Sequence, residues 1–212
     1  MTTLLVFGDS IVWGAWDSEG GWVARLRKEI DKKNLLDPDF YCSIYNLGIS
    51  GDTSTGLLSR FLSEAKIRIN IEQEDPIIIL AIGTNDAKFF INKQNHKTNQ
   101  NQFRKNIAQL IMQATSLTSK VIMLSPVKVD ESKVNTLPKN TERMLYNKDF
   151  TVFAKIIQEE AHKEDVHFLN LQTSFDIKTM LHEDGLHPNE KGHEYMFQKV
   201  KEFLIGKKLL SL

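Results

Sequence analysis

"PIIILAIGTND", residues 76–86, sets six consecutive apolar residues directly before a glycine and a short polar turn. A short run of this kind, rich in β-branched residues and bounded by turn signals, reads as a strand covered on both faces. Four further short β-rich runs occupy residues 3–7, 41–47, 121–124 and 166–169. Between them lie amphipathic stretches: "WVARLRKEIDKK", "TSTGLLSRFLSEAKIRI", "FRKNIAQLIMQAT" and "MLYNKDFTVFAKIIQEEAHKE", with "EKGHEYMFQKVKEFLIGKK" at the end. In residues 103–117, Phe103, Ile107, Leu110, Ile111 and Ala114 share one helical face, while Arg104, Lys105, Asn106 and Gln109 lie elsewhere. Five strands, each followed by a helix, imply a parallel sheet with helices on both faces, because parallel strands need crossover connections. No internal repeat, low-complexity tract or linker interrupts the rhythm. The expected architecture is α/β, a three-layer α/β/α sandwich in which residues 1–212 form a single domain.

Composition narrows the function classes. The chain has 212 residues, 41% of them hydrophobic, enough for a full core. Lys plus Arg and Asp plus Glu are both 27, and no sustained basic block offers a surface for nucleic acid or anionic lipid. The single cysteine, Cys42, precludes an intramolecular disulfide and sits in the apolar run "FYCSIYNLG", where a buried, inert thiol is expected. No apolar stretch reaches the length of a membrane span, so no integral membrane segment is expected. "MTTLLVFG" lacks the basic start and cleavage site of a signal peptide, which makes the cytoplasm the expected location.

In sheets of this type ligands sit at the C-terminal ends of the strands. The informative loops should follow the runs, and they do: "GDSIVWG", "GISGDTSTG" and "GTND" follow the first three, and "EDGLHPNEKGHEY" (residues 183–195) lies beyond the fifth. Asp184 precedes His187 by three residues, with Gly185 between them and Pro188 after. Pro188 suits the first turn of a helix, which places His187 in the loop before it. A carboxylate so placed can bond one imidazole nitrogen and leave the other free to act as a base. Ser10 is the strongest candidate to receive it, since a serine hydroxyl needs such a base to become nucleophilic. Acyl transfer also needs donors for the oxyanion. Gly51 can bring a bare backbone N–H close to the start of a helix, Asn85 offers a side-chain amide, and the Ser10 N–H is a third donor.

The blocks Gly8-Asp9-Ser10-Ile11, Ser50-Gly51-Asp52-Thr53, Gly83-Thr84-Asn85-Asp86 and Asp184-Gly185-Leu186-His187-Pro188 together resemble the four blocks of the SGNH hydrolases, also called the GDSL esterase/lipase family. They occur in family order with family-like spacing and frame nearly the whole chain. Ile11 replaces the leucine of the namesake motif, a conservative packing change. The resemblance implies a flavodoxin-like sandwich with a five-stranded parallel sheet of order 2-1-3-4-5. It implies Ser10 as nucleophile, His187 as base, Asp184 as its orienting acid, and an oxyanion hole of Ser10, Gly51 and Asn85. It implies a serine esterase or acylhydrolase that works through an acyl-enzyme and needs no cofactor. Lysophospholipids, thioesters and acetylated sugars all occur as substrates in that family, and an acyltransferase could use the same site.

Plainer roles are weighed beside these. Ser10 alone would read as a cap or turn residue. Gly48 is assigned to a turn, Asp86 to structural support, and Asp9 to bracing its loop. His162 and His193 fall in expected helices, His167 in a strand and His96 in a polar loop. His182 and His187 give His-Glu-x-x-x-His, one residue longer than a zinc-protease helix motif and interrupted by Gly185, so no metal is expected. "GDTSTG" followed by Leu57 is no P-loop, and G-x-G-x-x-G after the first strand and G-x-S-x-G are absent. The competing class is a non-catalytic flavodoxin-like module holding a phosphate or nucleotide at the same sheet edge. Phe89, Phe90 and Ile91 could line an acyl pocket or plug the edge, and Trp13 and Trp16 could face the site or pack in the core. Loops 86–98 and 126–140 are polar, and the second reads as a mobile wall over a shallow site suited to small or medium esters. The partner expected is a small-molecule ester; oligomeric state is not legible.

Overall fold

The five runs become one parallel sheet in the computed structural model, which describes residues 1–69, 76–135 and 142–212. In chain order the elements are β1 (Thr2–Gly8), α1 (Ser10–Trp13), α2 (Gly21–Leu36), β2 (Cys42–Gly48), α3 (Ser54–Lys66) and β3 (Ile77–Ala81). There follow β4 (Phe89–Phe90), a 3-10 turn (Ile91–Lys93), β5 (Asn95–His96), α4 (Gln100–Thr115), β6 (Lys120–Leu124) and α5 (Glu131–Val134). The chain closes with β7 (Arg143–Met144), α6 (Asn147–Lys163), β8 (His167–Leu169) and α7 (Glu190–Gly206). The main sheet runs β2-β1-β3-β6-β8 with every neighbouring pair parallel, which is 2-1-3-4-5 when its own strands are counted.

Strand periodicity explains why the run that opens at Ile77 is apolar throughout. Successive side chains point to opposite faces. Ile77 and Ile79 join Leu4, Val6, Ile122 and Leu124 beneath α2 and α7, whose Trp22, Leu26, Ile30, Met196, Phe197 and Val200 complete that core. Ile78 and Leu80 face the other way, with Leu5, Phe7, Val121 and Met123, against Phe61 of α3, Phe103 and Ile107 of α4, and Phe150 and Phe153 of α6. In both cores each fully buried aliphatic chain contributes about 1.5–3 kcal/mol relative to exposure. Cys42 lies in the first of these cores, where burial and the Asp31 charge push its thiol up to about 12. It stays a thiol at neutral pH.

Three boundaries differ from expectation. The helix expected from Met144 begins at Asn147, because Arg143 and Met144 pair antiparallel with Phe90 and Phe89 in a small sheet of order β5-β4-β7. Pro188 lies outside α7: the Asn189 side chain accepts from Gly192 N as the N-cap, while Pro188 bridges back to Leu181. Within loop 126–140, residues 131–134 form α5, and residues 136–140 lie outside the described residues. Among the described residues no helix is long and apolar enough to cross a membrane, and no group of three His, Cys, Asp or Glu side chains is placed to hold a metal ion.

Gly48 has a different role from a turn. It is the last residue of β2, and a Cβ there would meet Trp13 N at 2.3 Å and Asp9 O at 2.8 Å. Backbone atoms cannot yield as side chains do. Gly48→Ala is therefore expected to lower stability by about 1–3 kcal/mol, the range for overpacking, seen as a lower urea midpoint with an unchanged slope.

Candidate active site

Chain order alone does not bring residues 10 and 187 together; the sheet does. Ser10 is the first residue of α1, a single turn whose N-cap Asp9 accepts from Ile11 N at 3.0 Å. Gly14 closes the turn with φ of 97°. Ser10 Oγ then lies 2.9 Å from His187 Nε2. On the far side of the ring, His187 Nδ1 is 2.6 Å from Asp184 Oδ2. The other carboxylate oxygen accepts from Leu186 N at 2.9 Å and His187 N at 3.0 Å. With Nδ1–H donated to Asp184, Nε2 is left as the acceptor for the serine hydroxyl. Burial opposes the Asp184 charge, but the His187 ring and the two amides outweigh it and hold the carboxyl well below the usual range.

The loop carrying this pair is tightly fixed. His182 N donates to His187 O at 2.8 Å, and Asp130 N donates to Gly185 O at 2.8 Å. Gly185 has φ of 70° and abuts Lys133 Cβ, so both conformation and space call for glycine.

The donor side is built from β2, β3 and α3. Gly51 has φ of 81° in a turn closed by Asp52 N to Ile49 O at 3.1 Å, ahead of α3 rather than inside it; Thr53 caps that helix. Nothing lies within 4 Å of a Cβ built on Gly51, so backbone conformation alone selects glycine. The loop is tied to β1 through Ile49 N to Gly8 O at 3.0 Å, and to β3 through Asn85 Nδ2 to Asp52 O at 2.9 Å. Among the described residues the amides of Ser10 and Gly51 make no hydrogen bond. Asp86 is fully buried and accepts from Ser54 N and from Ser54 Oγ at 2.7 Å. Burial raises its pKa even against those bonds. Asp9 is likewise buried, and desolvation pushes it up to about 6 despite the Ile11 amide and the Thr84 hydroxyl.

Trp16, left open between site and core in the sequence, joins the site, and two further contributors, Arg60 and Lys88, went unread. Trp16 is 58% exposed and sits at φ of 66°; its Nε1 is 2.8 Å from Asp184 Oδ2 and 2.9 Å from His187 Nδ1. Since Nδ1 carries a proton toward Asp184, the indole N–H donates to the carboxylate. Trp13 is 60% exposed, so neither tryptophan packs in the core. Arg60 pairs with Asp52 at 2.8 Å and donates from Nη2 to Gly8 O at 3.2 Å and Leu47 O at 3.0 Å, joining the ends of β1 and β2. Lys88 donates to Asn85 Oδ1 at 2.5 Å. A lysine three residues after a candidate donor was the only signal for the last of these.

Comparison with known proteins shows the family and the fold. The model of the family described as GDSL-like lipase/acylhydrolase matches residues 4–200. Esterase TesA of Pseudomonas aeruginosa is 27% identical over 187 residues, covering 88% of this chain and 79% of that protein. Among solved structures, a lipase/acylhydrolase from Enterococcus faecalis superposes with a TM-score of 0.73 at 21% identity, covering 98% of this chain and 97% of that one. An acetylxylan esterase from Geobacillus stearothermophilus, a catalytic mutant, gives 0.68 at 19% identity, covering 96% and 92%.

Among the described residues no histidine other than His187 is hydrogen-bonded to Ser10. His193, the nearest rival on α7, is wholly buried: Trp22 N donates to its Nδ1 at 3.2 Å, and its Nε2 lies 3.2 Å from Ala15 O. Burial keeps it neutral by lowering its pKa. His193→Ala is expected to cost about 2–4 kcal/mol in denaturant unfolding, through the cavity and the orphaned backbone groups. Once folded, the variant should keep most of its activity.

Proposed function

Because the chain belongs to the GDSL-like lipase/acylhydrolase family, a family of carboxylic ester hydrolases, we propose that it cleaves small to medium acyl esters through an acyl-enzyme on Ser10. The observation that carries the reading is the unbroken line from Ser10 Oγ through the His187 ring to Asp184, at 2.9 and 2.6 Å. His187 Nε2 takes the hydroxyl proton as Ser10 Oγ attacks the ester carbonyl carbon. The carbonyl oxygen gains the charge, and the Ser10 and Gly51 amides with Asn85 Nδ2 are the donors for it. The protonated His187 then gives its proton to the leaving alkoxide, and Asp184 stabilises the imidazolium meanwhile. Water, activated by the same ring, releases the acid and restores Ser10.

Substrate size is argued from the surroundings of Ser10. Trp13 at the end of α1, and Trp16 and Ile49 in the loops that follow β1 and β2, are exposed and offer an apolar rim to the acyl or alcohol portion. Esterase TesA and the acetylxylan esterase support an ester as the substrate. The same proposal takes residues 1–212 as one catalytic domain, supported by a family match that reaches from residue 4 to residue 200. A phosphate-binding module would have no use for a serine hydroxyl held on an acid-oriented imidazole.

A fluorophosphonate probe should label Ser10, with labelling lost in Ser10→Ala. On a panel of p-nitrophenyl esters, acyl-CoAs, lysolipids and acetylated sugars, Ser10→Ala should lose on the order of 10³-fold or more in turnover. Near-normal turnover in that variant would return the site to the binding-module reading. Asn85→Ala should lower kcat by roughly 10²–10³-fold with little change in KM, since its donor is aimed at the transition state. Asp184→Asn should fold yet turn over slowly, because the ring loses the anion that selects its tautomer. A loss confined to KM in either variant would remove that residue from the proposed chemistry.

A further inference from the structure

An oxyanion donor made from an asparagine side chain has a built-in ambiguity. The two ends of a carboxamide are alike in shape and opposite in function: flipped, Asn85 would aim an oxygen at a developing negative charge. Something must hold it the right way round. Asp52 O accepts one Nδ2 hydrogen at 2.9 Å, which takes up half of the –NH2 group and leaves the second hydrogen free. The other end meets Lys88 Nζ at 2.5 Å from Oδ1. An ammonium has three donors and no acceptor, so the atom facing it has to be the oxygen.

We propose that Lys88 is the positioning residue of the oxyanion hole: its ammonium locks the Asn85 carboxamide with Nδ2 toward the reacting carbonyl and polarises it into a stronger donor. The inference rests on the oxyanion role given to Asn85 above. A charge-assisted bond to Oδ1 draws density from the amide and makes the remaining N–H a better donor. No contact between Lys88 and substrate is needed; it acts through Asn85.

The fold holds Lys88 for this purpose. The turn after β3 is closed by Ala87 N to Gly83 O at 3.0 Å, and Lys97 N donates to Lys88 O at 2.7 Å. The small β5-β4-β7 sheet thus starts from the backbone of Lys88 itself. The charges that act on its ammonium include Arg143 of β7, Lys97 from the residue after β5, and Asp9 from the cap of α1. Burial, joined by the charges of Arg143 and Lys97, lowers the Lys88 pKa to about 8, and Asp9 opposes them. The sign follows. The ammonium is present below about 8 and is lost as pH rises through that value, so the polarising charge goes at alkaline pH.

The test is a double-mutant cycle on ester hydrolysis, with Lys88→Met, Asn85→Ala and the pair. Lys88→Met should lower kcat about tenfold or more and leave KM within about twofold. In the Asn85→Ala background the same change should alter kcat by less than about twofold, because the group it acts through is gone. Equal losses in both backgrounds, a loss confined to KM, or no loss at all would each overturn the proposal. Lys88→Gln, which keeps a donor without the charge, serves if the methionine variant folds poorly, and should fall between it and wild type. The wild-type profile is an independent readout: kcat should decline between about pH 7 and about pH 10, and a flat kcat there overturns the role of the charge. If Ser10→Ala and Asn85→Ala are crippled while Lys88→Met is not, only Lys88 is misassigned. If Ser10→Ala turns over normally, the esterase reading itself has failed.

Discussion

Gly8 stands in register between Gly48 of β2 and Ala81 of β3, and that alignment sets the level of everything above the sheet. With the three strand ends flush, the chain leaves each at the same height, and the loops bearing Ser10, Gly51 and Asn85 start side by side. The alignment also demands bare backbone. A Cβ on Gly8 would meet Ala81 O at 2.4 Å and Val12 Cγ2 at 2.4 Å, and one on Gly48 would strike the backbone of Trp13. Glycine at these two sites lets α1 settle onto the strand ends, which turns Ser10 out over the edge. Arg60 completes the clamp by reaching the carbonyls of both Gly8 and Leu47. Parallel strands carry their ligands at such edges for this reason: the loops converge there, and helix starts present free N–H groups.

Above that level, buried polar groups take over from apolar packing. Asp86 caps the start of α3 through Ser54, and Asn106 of α4 donates to Ser54 Oγ at 2.9 Å and to Thr55 Oγ1 at 2.9 Å. The loop after β3, the start of α3 and the middle of α4 therefore share one satisfied network. Buried groups of this kind cost much when unpaired and rigidify when paired. The Gly51 loop is consequently held from two sides, by the Asp86 network and by Asn85 on Asp52 O.

The strands and four polar blocks could be read from sequence because their signals are local. An apolar run has one meaning for a strand covered on both faces, and acid, imidazole, hydroxyl and glycine each announce a chemistry at fixed offsets. What escaped the sequence is set by distant partners. The strands β4, β5 and β7 are two residues each, too short for any period, and exist only because Phe89 and Phe90 pair across to residues 95–96 and 143–144. Met144 continued an amphipathic pattern and was claimed by that pairing instead of by α6. Trp16 stood open between the site and the core until its indole proved to lie on Asp184. Gly48 carried no mark of the close approach that requires it, because the atom it must avoid belongs to Trp13.

The small sheet gains a purpose from where it begins. A two-residue antiparallel pair buries little and contributes little stability on its own. Here Lys97 N donates to Lys88 O next to the paired residues, and its outer strand carries Arg143, whose charge acts on the same ammonium. On the opposite side of Ser10, the loop ending in His187 brings the ionised Asp184 against the imidazole. In the proposed reaction a positive charge grows on His187 and a negative one on the carbonyl oxygen. Each then develops next to a fixed charge of the opposite sign, Asp184 directly and Lys88 by way of the Asn85 amide. Such charges need no reorganisation when the transition state forms, which is where an enzyme gains over water.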